Sequence, residues 1–583
     1  MKFFKTFLAC LLALFLFSFL AFVLPIVVLV VISFISTSQT SEIPQGSVLQ
    51  LNLTGELKDR QTLEDMPFNW LNESDYNVYF MDELSEVLKK AAGDSRIKGV
   101  SLSMEQFSAG FASVSELRSL LEEFRKSGKF VYAYSGAFSQ KDYYLATAAD
   151  TICINPVGTL DFKGISTSTR FYKGLLDKLG VEMQIIKVGA YKSFTEQFSS
   201  DSMSAENRSQ SEILTRSIWN SILEEISEAR NCSVEELNHY ADRMLYFDYP
   251  DDLINKRMVD VVCYRDQYLE LLKSRSGADQ LELVKYKDYL AEMSGVELLE
   301  SVPMGNRLAV VFAEGEIDNG TSEGINSDKF EKMLSKIADD SAIRAVVLRV
   351  NSPGGSAYGA EQIWRAVQRV RQQKPIVVSM GDYAASGGYY ISAGANYIVA
   401  NPATITGSIG VFSVIPNLDS LSKKIGISME SVKTNENADF GNSIAVPLSD
   451  DMKQKLQDHT EHVYDIFLRR CADGRNLSID SVKSIAEGRV WSGQSAYELG
   501  LVDKLGTLND AIALAATKAG LSNYNIDYYP KKIDFMSELN DLFSVTQKKL
   551  DFGVVFSKEN AIFEQIRCID RQQALIPVRF EIR

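Results

Sequence analysis

The chain has 583 residues, and its 61 lysines and arginines face 76 aspartates and glutamates, a net charge of −15. A body this acidic excludes phosphate-backbone binding, which calls for a basic face, so no nucleic-acid partner is expected. Apolar residues at 45% and charged residues at 23% exclude a disordered or collagen-like chain, and the length calls for several folded units.

From Phe7 to Ile35 the chain carries no charge. That run exceeds both the ~20 apolar residues that span a bilayer as a helix and the ~15 of a cleaved signal peptide. A membrane anchor is therefore expected within residues 1–40. Lys2 and Lys5 precede the run and no basic cluster comes closely after it. The positive-inside bias thus keeps the short N-terminus in the cytoplasm and puts the whole body across the membrane.

An internal repeat organises the rest of the chain. The fourteen residues Tyr143–Pro156 match Tyr389–Pro402 at an offset of 246, with six identities. The same offset pairs 96–100 with 342–346 and 181–187 with 427–433, and Leu49–Leu57 echoes Leu308–Ile317 at an offset of 260. Two copies of one domain are expected, over residues 45–300 and 305–525, with an extension over 526–583. In the second copy, Leu308–Phe312 and Ala345–Val350 read as buried strands. Ala357–Gln373 has a helical apolar stripe (Ile363, Val367, Val370) that Pro375 stops, and Ile376–Met380 is another strand. A short helix over Tyr389–Ala395 and a strand over Tyr397–Ala400 complete an α/β layered fold with right-handed crossovers. The extension reads as a surface addition with no repeat partner.

Two loops of the second copy carry chemistry. Asn351-Ser352-Pro353-Gly354-Gly355-Ser356 frees backbone N–H groups beside a helix start, suited to an oxyanion. Ala385-Ser386-Gly387-Gly388 puts a serine hydroxyl at another helix start, where a nucleophile or a plain N-cap are both served. The repeat decides between chemistry and scaffold. At offset 246, Ser386-Gly387-Gly388 faces Gln140-Lys141-Asp142, and Gly354-Gly355 faces Ser108-Ala109. A turn needed only for folding belongs in both copies, so these residues read as functional. The first copy holds a reciprocal feature, Lys192 in the uncharged stretch Val188–Phe194, opposite Ala438, whereas Lys187 pairs with Lys433 and reads as structural. A lysine base has to come down from a pKa of about 10.4 to near 7, roughly 3 units, which burial can supply.

Metal and redox chemistry are not indicated. Cys10, Cys153, Cys232, Cys263, Cys471 and Cys568 lack C-x-x-C spacing, and buried apolar thiols are the plain reading. His459 and His462 sit i, i+3 on a helix around Met452–Arg470 without an H-E-x-x-H motif, as on an exposed face. No metal and no cofactor are expected.

Ser352-Pro353-Gly354-Gly355, Ala385-Ser386-Gly387-Gly388-Tyr389, Thr406-Gly407-Ser408-Ile409-Gly410 and Tyr191-Lys192-Ser193 together resemble the signal peptide peptidase A (protease IV) family in its long, anchored, two-repeat form. The resemblance runs from the anchor to about residue 525. It implies tandem crotonase/Clp-protease-like repeats and a Ser–Lys dyad, with Ser386 as nucleophile and Lys192 as general base. It further implies Ser408 as auxiliary hydroxyl and the Gly354/Gly355 backbone as oxyanion hole. Signal peptides and other apolar peptides would be the substrates. The protein would be a homotetramer in the bacterial inner membrane with its catalytic body on the periplasmic side. A crotonase-type acyl-CoA enzyme and a non-catalytic peptide-binding scaffold are the alternatives.

Overall fold

The two copies fold as two sheets joined by a third, the first parallel and the second parallel except at its edge strand Val490–Ser492. The computed structural model describes residues 43–61, 77–297, 306–318, 324–441, 444–531 and 573–575, and four isolated positions before residue 43. The anchor expected over 7–35 lies outside the described stretches. Among the described residues no helix is long and apolar enough to cross a membrane.

The first sheet has seven parallel strands, ordered Val78–Phe80, Ser47–Lys58, Ile97–Ser108, Phe130–Phe138, Thr151–Leu160 and Val261–Val262, with Leu283–Lys285 also paired to Ser47–Lys58. The second has eight, running from Val490–Ser492 through Ile405–Gly407, Ile376–Ala385, Ile343–Ser352 and Arg307–Glu314 to Asn525–Tyr529. Residues 526–529, expected in the extension, are therefore part of this sheet and pair in parallel with Leu308–Val311. Central strands such as Arg307–Glu314 are buried on both faces, which is why they read as continuous apolar runs rather than alternating ones.

The offset seen in the sequence is carried into the elements. Ile97, Phe111, Phe130 and Thr151 open elements in the first copy, and Ile343, Ala357, Ile376 and Tyr397 open their counterparts, each 246 residues on. Two 26-residue helices, Ala205–Arg230 and Asp450–Arg475, also correspond. Each is N-capped by a serine (Ser204, Ser449) and ended by an asparagine in the left-handed region (Asn231, Asn476).

The copies are welded together. Ala385, Ala403, Ile405 and Val490 of the second copy belong to the core of the first. Buried Arg349 reaches Asp59 and Glu116 of the first copy, both at 2.8 Å, and Asp382 accepts from the Ser113 N–H at 3.0 Å. The third sheet is antiparallel and spans both copies, in the order Gly354–Ser356, Gln573–Leu575, Val411–Asn417, Glu182–Val188. Cys153, Cys232, Cys263 and Cys471 are free and buried, in keeping with their spacing. His459 and His462 are not buried on their helix, and no metal-ligating cluster occurs among the described residues.

Candidate active site

Ser386 closes the strand Ile376–Ala385 and caps the helix Gly387–Ala393. Its backbone sits at φ 56 and ψ −115, a region that few residues with a side chain adopt and that costs roughly 1–3 kcal/mol. The surroundings hold it there: its N–H donates to the Gly407 carbonyl and its carbonyl accepts from Tyr390 N–H, both at 2.8 Å. The two glycines after it permit close packing. A Cβ on Gly388 would lie 2.6 Å from the Ser352 carbonyl oxygen, and one on Gly387 would lie 3.1 Å from Gly354 Cα. The serine turn thus packs directly on the glycine loop. In that loop Gly354 and Gly355 have φ of 109 and 147, and a Cβ on Gly355 would collide with the Ile317 carbonyl.

Lys192 arrives from the first copy. The strand Glu182–Val188 pairs antiparallel with Val411–Asn417, so the turn after Val188 meets the turn before Val411. Those turns carry Lys192 and Ser408. Lys192 Nζ lies 2.7 Å from Ser386 Oγ and 3.0 Å from both Ser408 Oγ and the Ser408 carbonyl oxygen. All three residues have no solvent exposure. Phe412 covers the amine, with its ring centroid 5.9 Å from Nζ. Burial drives the Lys192 pKa well below the ordinary lysine value. A neutral amine in contact with a serine hydroxyl can accept its proton.

The corresponding place in the first copy is filled. Lys141, opposite Gly387, donates from Nζ to the Ala109 carbonyl at 2.7 Å, and Ala109 stands opposite Gly355. An amine tethered there leaves no serine and no glycine cradle. Lys187, read as structural, lies on the joining strand opposite Phe412.

Several neighbours of Lys192 are not evident from the sequence. Gly488 and Gly410 leave room for its side chain, since a Cβ on either would lie 2.7 or 3.3 Å from it. Tyr191 N–H donates to the Glu487 carbonyl at 2.9 Å, and the Arg489 guanidinium stacks 3.7 Å over the Tyr191 ring. Gln210 holds the residues on either side of the lysine. Gly410 belongs to the same Thr406–Gly410 motif as Ser408, and for Gln210, a single amide on an amphipathic helix, the sequence offers no signal.

A buried serine, a lysine of lowered pKa and a glycine cradle are the parts that a hydrolase with a nucleophilic hydroxyl requires. Comparison with known proteins gives the family. The model for peptidase family S49 matches residues 123–279 and 368–522, one stretch in each copy. The chain is 34% identical over 545 residues to Protease 4 of Haemophilus influenzae, covering 88% of this chain and 86% of that one. It is 35% identical over 461 residues to Protease 4 of Salmonella typhi, with coverage of 77% and 73%. It is 31% identical over 490 residues to the chloroplastic serine protease SPPA of Arabidopsis thaliana, with coverage of 82% and 70%. Among solved structures, a ClpP1 mutant from Listeria monocytogenes matches with a TM-score of 0.24 at 14% identity, over 35% of this chain and 94% of that one. The chain belongs to peptidase family S49 and is a serine protease of the signal peptide peptidase A type. The acyl-CoA and scaffold alternatives fall away.

Proposed function

We propose that Ser386 and Lys192 form the catalytic dyad of this protease and that it cleaves extended apolar peptides. The observation that carries the reading is the 2.7 Å contact between Lys192 Nζ and Ser386 Oγ in a site without solvent exposure. Ser386 Oγ attacks the peptide carbonyl while Lys192 Nζ takes the hydroxyl proton. The Gly354/Gly355 backbone N–H groups receive the oxyanion, that of Gly354 turning to it from Ser352 Oγ, to which it donates at 3.2 Å. Lys192 returns its proton to the leaving amine, and a water molecule then cleaves the acyl-enzyme by the same base. Ser408 Oγ orients the amine toward Ser386.

The chain's own tail marks the substrate lane. Gln573–Leu575 runs antiparallel to Gly354–Ser356, with Leu575 opposite Gly354, and Gln573 stands opposite Phe412. A peptide strand fits between the glycine loop and the strand Val411–Asn417, held by main-chain hydrogen bonds. Signal peptides left in a membrane are the apolar, unfolded class that such a lane accepts. An anchor over residues 7–35 would hold the body beside them on the periplasmic face of the bacterial inner membrane. Exposed Leu175 and Leu179 of the first copy, with Ile425 and Ile427 of the second, supply apolar surface for a homotetramer.

The test is labelling by a serine-directed fluorophosphonate. Wild type should label, and neither Ser386→Ala nor Lys192→Ala should; labelling of Lys192→Ala at the wild-type rate overturns the dyad. A chain ending at Lys531 should bind short apolar peptides more tightly, because its lane is vacant. An unchanged KM there counts against the lane.

A further inference from the structure

Lys192 and Ser386 come from different copies, so their separation depends on how the lysine turn is registered against the second copy. The Tyr191 N–H bond to the Glu487 carbonyl is one link, and the Gln210 side chain adds a second. It stands on the helix Ala205–Arg230 and is 3% exposed. Its Nε2 donates to the Tyr191 carbonyl at 3.1 Å and to Ser193 Oγ at 2.8 Å, the residues on either side of Lys192. Its Oε1 accepts from the Val490 N–H of the second copy at 3.3 Å. Chemistry fixes this orientation of the amide, because a carbonyl cannot donate and a backbone N–H cannot accept. Val490 in turn pairs with Gly407, and the Arg489 carbonyl accepts from Ser408 N–H at 2.7 Å. A single amide therefore ties the residues flanking Lys192 to the strand that supports the Ser408 turn.

We infer that Gln210 is a positioning residue for peptide hydrolysis: its amide locks the Lys192 turn of the first copy onto the Val490 strand of the second and so sets the distance between base and nucleophile. The inference rests on the Ser386–Lys192 dyad proposed above. Lysine has four rotatable side-chain bonds, and its Nζ is useful only within hydrogen-bond reach of Ser386 Oγ. Nothing covalent links the two copies at this joint, and the amide supplies donor and acceptor across it. None of Gln210's hydrogen bonds goes to the strands flanking the substrate lane. Its loss should therefore act on the chemical step rather than on peptide binding.

The pH profile reports the same event independently. Burial alone lowers the Lys192 pKa. No charged group contributes to that shift, including Lys187, Glu196, Arg208, Glu487 and Arg489 on the elements around the turn. A loosened turn admits water to Nζ, the lysine holds its proton to higher pH, and the rising limb of activity moves alkaline.

The experiment uses the full chain with Gln210→Met, which keeps the shape and removes the amide. Ser217→Ala is the control. Ser217 lies on the same helix, and its Oγ is 2.6 Å from Ser492 Oγ, so it joins the same two elements without touching the lysine turn. In Gln210→Met, kcat on an apolar peptide should fall about 10- to 100-fold with KM within about twofold. Its fluorophosphonate labelling should slow in parallel and its acid limb should move up, while Ser217→Ala keeps the wild-type profile. A folded Gln210→Met with wild-type kcat and limb overturns the inference, as does an equal shift in Ser217→Ala. If Gln210→Met does not fold, Ser193→Ala, which removes one of the two acceptors on the lysine turn, should show the same limb shift with a smaller loss, and an unchanged profile overturns the inference. Lys192→Ala run alongside separates the two proposals. Wild-type labelling of that variant sinks the dyad, whereas an inert Lys192→Ala beside an unaffected Gln210→Met sinks only the positioning role.

Discussion

Gly488 offers a steric test of how tightly the lysine is held. It sits at φ 79, and its N–H donates to the Ile409 carbonyl at 2.8 Å. A Cβ there would lie 2.7 Å from both Cβ and N of Lys192 and 2.8 Å from its Cα. Carbon atoms in comfortable contact stand about 3.5–4.0 Å apart, so alanine must displace the lysine backbone by on the order of 1 Å. The atoms it meets are backbone and the first side-chain carbon, not a flexible tip that can swing away. A displacement of that size takes the amine out of the ~2.7–3.2 Å hydrogen-bond range to Ser386. Misplacement by about 1 Å costs on the order of 10²-fold in rate, and left-handed alanine costs about 1–2 kcal/mol of stability. Gly426→Ala is the control, because Gly426 has a similar φ of 83 with nothing within 4 Å of an added Cβ. Steady-state cleavage of a fluorogenic apolar peptide, read beside a thermal melt, should show both variants slightly destabilised and only Gly488→Ala nearly inactive. Wild-type kcat in Gly488→Ala would refute the claim that close backbone packing holds the base.

Two other perturbations probe the same geometry. Arg349→Met leaves Asp59 and Glu116 buried without their cation, so the denaturant midpoint should correspond to a loss of about 3–5 kcal/mol; a loss below about 1 kcal/mol would count against the weld between the copies. Lys192→Met should raise the melting temperature at pH 7. The folded site depresses the lysine pKa below its unfolded value of 10.5, so below that pH the unfolded chain binds a proton the folded site disfavours, and stability falls as pH falls. The gain from methionine should shrink toward zero as the pH approaches 10.5, and a pH-independent gain would show that packing rather than desolvation is responsible.

Much of this is legible in the sequence because the chain carries its own comparison. The repeat at offset 246 locates the scaffold, and the places where the copies disagree, Ser386-Gly387-Gly388, Gly354-Gly355 and Lys192, are the places that meet in the fold. Strand and helix type come from apolar runs and from Pro375. Other features are hidden for physical reasons. Strands such as Glu182–Val188 and Val411–Asn417 take their identity from each other, across more than two hundred residues, so no local pattern announces them. Residues 526–529 have no counterpart to align with, yet complete a sheet edge. Gln210 and Gly488 matter through what they touch, and single residues leave no period.

The joining sheet explains why two similar domains yield one site. Its strands Glu182–Val188 and Val411–Asn417 are not equivalents of each other. At offset 246 their counterparts are residues 428–434 and 165–171, and neither stretch is a strand. Each copy thus contributes one strand of a two-stranded joint, so the pairing brings a first-copy turn onto a second-copy turn and can form only once per chain. Two undiverged copies would meet symmetrically and present two like sites. Here the asymmetry puts Lys192 on one copy and Ser386 on the other, while Gln140 stands where a second serine would and Lys141 where its first glycine would. On the dyad proposed above, the second copy by itself would hold the serine and the glycine cradle but no proton acceptor.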